Sequence, residues 1–67
     1  MDTMPTREEV IAARYACQRD VASSRRGELT YEEARASCKA YIALANARQV
    51  ALYGKVRVRI PLSGLLR

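Results

Sequence analysis

Between Tyr31 and Tyr53 the chain runs 23 residues without a glycine or a proline, and alanine is the commonest residue in that run. Such a composition favours helix, and at 1.5 Å per residue it spans about 34 Å. In a chain of 67 residues an element of that length dictates how the rest must pack. Its start is marked by Thr30-Tyr31-Glu32-Glu33, a capping box in which the threonine hydroxyl accepts from the amide three residues on. Gly54 is its natural stop.

A second box, Thr6-Arg7-Glu8-Glu9, follows Pro5 and opens an earlier helix. Val10, Ala13, Cys17 and Val21 recur along one face of it. Ile11, Tyr15 and Ala22 form a second stripe about 100° away. "RRGEL" ends this helix near Arg25 or Arg26, with Gly27 suited to the left-handed position and the arginines facing the negative helix end. The reading is therefore two helices, about 6–26 and 30–53, folded antiparallel across a short turn.

The long helix carries two apolar seams. Tyr31, Ala34, Cys38, Tyr41, Ala45 and Leu52 form one, with Ile42 beside it and Arg48 interrupting its heptad spacing. Ala36, Ala40, Ala43, Ala47 and Val50 form the other. A helical hairpin needs one buried stripe per helix. The alanine seam is therefore expected to receive another helix, and a homodimer in a four-helix arrangement is the expected state. Alanine also sits on solvated faces simply because it favours helix, and that is the plainer alternative.

After Gly54 the period changes. Val56, Val58 and Ile60 alternate with Lys55, Arg57 and Arg59, which predicts a short β-strand ended by Pro61. The fold class is thus mainly α, a two-helix hairpin (1–53) with a basic and apolar C-terminal strand and tail (54–67). That tail holds four cations and no acid, against a net charge of +5 for the whole chain. A field so localised points to a partner at that end.

Chemistry of several kinds is missing. There is no histidine, so the usual Ser-His and Cys-His nucleophilic systems are excluded. Two cysteines are too few for a zinc site. The acids are Asp2, Glu8, Glu9, Asp20, Glu28, Glu32 and Glu33, and four of them sit in capping boxes. No glycine-rich phosphate loop is present. No enzyme activity, cofactor, metal or small-molecule substrate is expected. No run of about 18 apolar residues occurs, so no membrane span is expected. "MDTMPTREEV" lacks the apolar core of a secretory signal, and cytoplasmic residence is the expectation.

If the hairpin turns at Gly27-Glu28, facing residues have numbers summing to about 55, and Cys17 faces Cys38. Helix axes normally lie 8–10 Å apart and a disulfide needs Cα atoms within about 7 Å. In the cytoplasm two reduced, buried cysteines are therefore the expectation, and association with another chain is the expected staple for so small a core.

Two functions fit. A protein-interaction module, adaptor or inhibitor, would use Val56, Val58 and Ile60 as an added strand. Leu62 and Leu65, with Leu66, would anchor in apolar pockets, and the arginines would meet an acidic rim. A nucleic-acid-binding accessory protein would instead set Lys55, Arg57, Arg59 and Arg67 on phosphates. Six of the fourteen tail residues are large and apolar, more than phosphate binding needs, and this favours a protein partner. The tail has no aromatic residue for base stacking. Attachment to a membrane surface is disfavoured by Pro61 and Gly64, which oppose an amphipathic helix.

Overall fold

The computed structural model describes residues 4–67, so Asp2 lies outside the described residues. Helix α1 spans Arg7–Arg25, α2 spans Tyr31–Tyr53, and a single turn, α3, spans Leu62–Leu65. The two long helices pack against each other as a hairpin.

Both helices start where their threonines place them. Thr6 Oγ1 accepts from the Glu9 amide at 3.1 Å, and Thr30 Oγ1 from the Glu33 amide at 3.2 Å. The Thr30 hydroxyl also donates to Glu33 Oε1 at 3.1 Å. Gly27 ends α1 at φ +79°, with the Glu28 amide donating to Ser23 O and the Gly27 amide to Ser24 O. That pairing closes the orphan carbonyls of the last turn. Gly54 does the same for α2 at φ +76°, its amide donating to Val50 O at 2.8 Å.

The inner stripe of α1 is Val10, Ala13, Cys17 and Val21, with Cys17 and Val21 buried. On α2 the buried residues are Ala34, Cys38 and Ala45. Tyr31 and Leu52, at the two ends of the expected seam, are about half exposed. The core is small, and its largest fully buried side chains are the two cysteines.

Those cysteines correct the expectation of free thiols. Cys17 and Cys38 form a disulfide, their Cα atoms 4.7 Å apart. The close approach comes from small side chains at the crossing, where Ala34 is buried and Ser37 half-buried. The helices touch there more intimately than the usual interaxial distance allows. The hairpin is thus stapled covalently within one chain, and a second chain is not required for that purpose.

The C-terminal segment also differs from expectation. Among the described residues no strand forms, and Val56–Ile60 is irregular. A period-two pattern makes a strand only beside a backbone edge, and a hairpin of helices has none to offer. Pro61 instead caps α3 in an extended conformation. Leu62, Leu65 and Leu66 then fold back with Tyr41 onto the cluster of Cys17, Val21, Ala34 and Cys38.

Candidate interaction site at the α2 C-terminus and tail

The turn at Gly54 sends the chain back along α2, and one side chain of that helix receives it. Gln49 Oε1 accepts from the amides of Arg57 (2.9 Å) and Val58 (2.7 Å), and Gln49 Nε2 donates to Val58 O at 2.8 Å. A primary amide has the same donor and acceptor as a peptide group. It therefore stands in for the missing neighbour strand at one residue. One turn further along, the Arg57 guanidinium lies over the Tyr53 ring, 5.0 Å from its centroid, a cation–π contact.

The expected binding residues divide between two environments. Lys55, Arg57, Arg59 and Arg67 are exposed, as are Val56 and Val58, the latter 68% accessible. Ile60 is half-buried, and Leu62 and Leu65, also half-buried, pack against the protein's own core. The four alanines of the second seam, Ala36, Ala40, Ala43 and Ala47, are exposed along with Val50.

The large exposed apolar residues are unevenly distributed. Val50, Leu52, Tyr53, Val56 and Val58 fall in one short stretch spanning the helix end and the start of the tail. Beside it, α2 and the returning tail enclose an open groove of about 490 Å³. Ile42, Ala43, Ile60 and Leu62 supply its apolar lining, and Lys39, Asn46 and Arg59 its polar groups. Asn46, one of these lining residues, has its Oδ1 buried without a hydrogen-bond partner. A smaller notch on α1 is lined by Ile11, Arg14, Tyr15 and Gln18.

Two further contacts fix the hairpin that carries this site. Ser37 Oγ donates to Asp20 Oδ2 across the helix pair, and Arg19 Nε to Asp20 Oδ1 at 3.2 Å. These hydrogen bonds, the Ser37 one foremost, hold the Asp20 carboxyl below its ordinary value. Arg48, the residue that interrupts the α2 seam, donates to the Pro5 carbonyl at 3.0 Å and ties the entry of α1 to the far part of α2.

Gln49 was not singled out from the sequence, though its place was legible. A polar residue one turn inside a helix that ends in a left-handed glycine stands where the returning chain first needs a partner. The Asp20–Ser37 pair likewise follows from the register that faces Cys17 to Cys38.

Compared with protein-family models, with curated proteins and with solved structures, the chain matches none. Its class rests on its own geometry: a helical hairpin, stapled by a disulfide, with its C-terminal segment folded back over the staple. Among the described residues no helix is long and apolar enough to cross a membrane.

Proposed function

We propose that this chain is a small, non-enzymatic protein-interaction module, an adaptor or inhibitor, that captures a partner through the tail and the adjoining surface of α2. One observation carries the reading: the large apolar residues Val50, Leu52, Tyr53, Val56 and Val58 are exposed together, interleaved with Lys55 and Arg57. Large apolar residues left exposed in one short stretch, with cations among them, are the composition of a protein-binding surface. Val56 to Ile60 would take up strand geometry on meeting a partner's sheet edge or its own symmetry mate, with Gln49 holding the segment until then. The exposed alanine face of α2, Ala36 to Val50, would join two copies.

The absence of histidine and of a nucleophile–base pair in the sequence supports the non-enzymatic reading. Cytoplasmic residence, the sequence expectation, carries a condition. The Cys17–Cys38 bond must survive a reducing thiol pool, and burial of both cysteines to 1% exposure or less is what would protect it. Residence in an oxidising compartment needs no such protection.

Nucleic-acid binding is the second reading, favoured by four exposed cations in a segment without an acid. If all four met duplex phosphates, log K against log salt would fall with a slope of about −3.6. The experiment that separates the two is capture from host lysate with and without nuclease. Partners retained after nuclease support the protein-interaction reading; loss of every partner, together with that salt slope, supports the other.

A further inference from the structure

The groove between α2 and the returning tail has a polar inventory that specifies a ligand. Lys39 and Arg59 are its charged residues, and no acid lines it. Among the described residues neither is in an ion pair, since the salt bridges are Arg19–Asp20 and Arg26–Glu28. Its remaining polar residue, Asn46, has an Oδ1 that is buried and unpartnered. An acceptor buried without a donor is costly, and rotation of the amide toward the groove lets a ligand's donor meet it. Ile42, Ile60 and Leu62 supply the apolar lining.

We infer that this groove is the seat of an acidic, amphipathic peptide segment of a partner protein, whose carboxylates meet Lys39 and Arg59 while its backbone satisfies Asn46. The inference rests on the protein-interaction reading above and names where and what that partner presents. Three ligand chemistries share the negative charge, and the groove separates them. A fatty carboxylate and a phosphodiester backbone bring acceptors alone and leave Asn46 Oδ1 unmet. A peptide group carries both a donor and an acceptor, so it satisfies either edge of the Asn46 amide, which turns about a soft terminal torsion. A nucleic acid would also gain from aromatic stacking surfaces, and none lines the groove. The groove is open along its length, which suits an extended segment laid into it.

The test is an amide-shift titration of the intact, oxidised chain with a short synthetic peptide of alternating glutamate and leucine. Dodecanoate and a duplex oligonucleotide serve as competing probes. The expected shifts centre on Lys39, Asn46, Arg59 and Ile60. The double variant Lys39→Glu/Arg59→Glu is expected to bind the peptide at least about tenfold more weakly, since two attractions become repulsions. Asn46→Ala is expected to weaken the peptide without changing dodecanoate binding. Arg7→Glu, in the first turn of α1 and outside the groove and the tail, is the control and is expected to change binding by less than about twofold. All three substituted cations are exposed, so the fold is not at stake. Equal weakening by Arg7→Glu and by the groove variants would mean diffuse charge attraction and would overturn the inference. Tighter seating of dodecanoate or the duplex in the groove would overturn it as well. Capture of a protein partner that is indifferent to Lys39→Glu/Arg59→Glu would overturn the groove while leaving the interaction reading in place. Failure to capture any protein after nuclease would remove that reading itself.

Discussion

Gln49 grips Val58 by both of its backbone polar groups, accepting from the amide at 2.7 Å and donating to the carbonyl at 2.8 Å. The side chain thus does within one helix what a neighbouring strand does in a sheet. It answers where the backbone of an isolated period-two segment finds its partner. The same contact ties the backbone of Arg57 and Val58 to α2 while the Val58 side chain stays exposed.

Gln49→Ala removes all three hydrogen bonds to residues 57 and 58. The site is exposed, so water replaces part of the loss and the expected cost is about 1 kcal/mol. Amide exchange is the sharper readout. The Val58 amide should lose its protection while amides within α1 and α2 keep theirs. Unchanged protection at Val58 would show that the segment is held by something other than Gln49.

The staple is expected to carry a large share of the stability, because the core is small and the cysteines are its largest fully buried members. The bond closes a loop with a sequence separation of 21. Cys17→Ala/Cys38→Ala should lower stability by about 2–4 kcal/mol, a large share for a domain of this size. Chemical denaturation of the oxidised and the double-alanine chains measures it. Equal midpoints would show that packing alone sustains the hairpin.

Asp20 gives the fold a defined acid sensitivity. Its carboxyl is held below its ordinary value, first by the Ser37 hydroxyl and then by Arg19. Folding therefore favours the ionised form, and the stability it adds is complete above the unfolded carboxyl pKa. That contribution fades as pH falls through the lower folded value. Ser37→Ala should raise the Asp20 carboxyl pKa in a carbon-detected titration and narrow the stability difference between neutral and acid pH. No movement of the Asp20 titration would remove Ser37 from this role.

The alanine face of α2 makes a separable prediction about assembly. If Ala36, Ala40, Ala43, Ala47 and Val50 join two copies, sedimentation equilibrium should give twice the 7.5 kDa of one chain. Ala43→Glu at the middle of the seam should return it to one chain mass with its helix content intact. A single-chain mass for the unaltered protein would leave alanine there for helix propensity alone.

Much of the hairpin was legible because its determinants are local. Thr6, Thr30, Gly27 and Gly54 act within a few residues of themselves, and the turn at Gly27 fixes the register that brings Cys17 to Cys38. What was not legible depends on distances between elements. Sequence spacing gives the facing pairs but not the closeness of the helices, and the 4.7 Å approach at the cysteines decides between thiols and a disulfide. The tail failed for a related reason. Val56, Val58 and Ile60 carry a strand pattern, yet a strand is a property of two edges, and the hairpin provides one glutamine. Leu62 and Leu65 have the composition of an anchor whether the pocket belongs to a partner or to the chain itself.

That division of the tail gives the most direct test of the account, in which Leu62 and Leu65 hold the segment to the hairpin and Val58 faces the partner. Partner capture after nuclease treatment is compared with the thermal midpoint in two variants, Val58→Asp and Leu65→Asp. Val58 is 68% exposed, so Val58→Asp should leave the midpoint within about 2 °C of the parent and abolish capture. Leu65→Asp should lower the midpoint by several degrees, because it places a charge against the cluster around the disulfide. Capture undiminished in Val58→Asp at an unchanged midpoint would contradict the claim that this surface is what the protein uses.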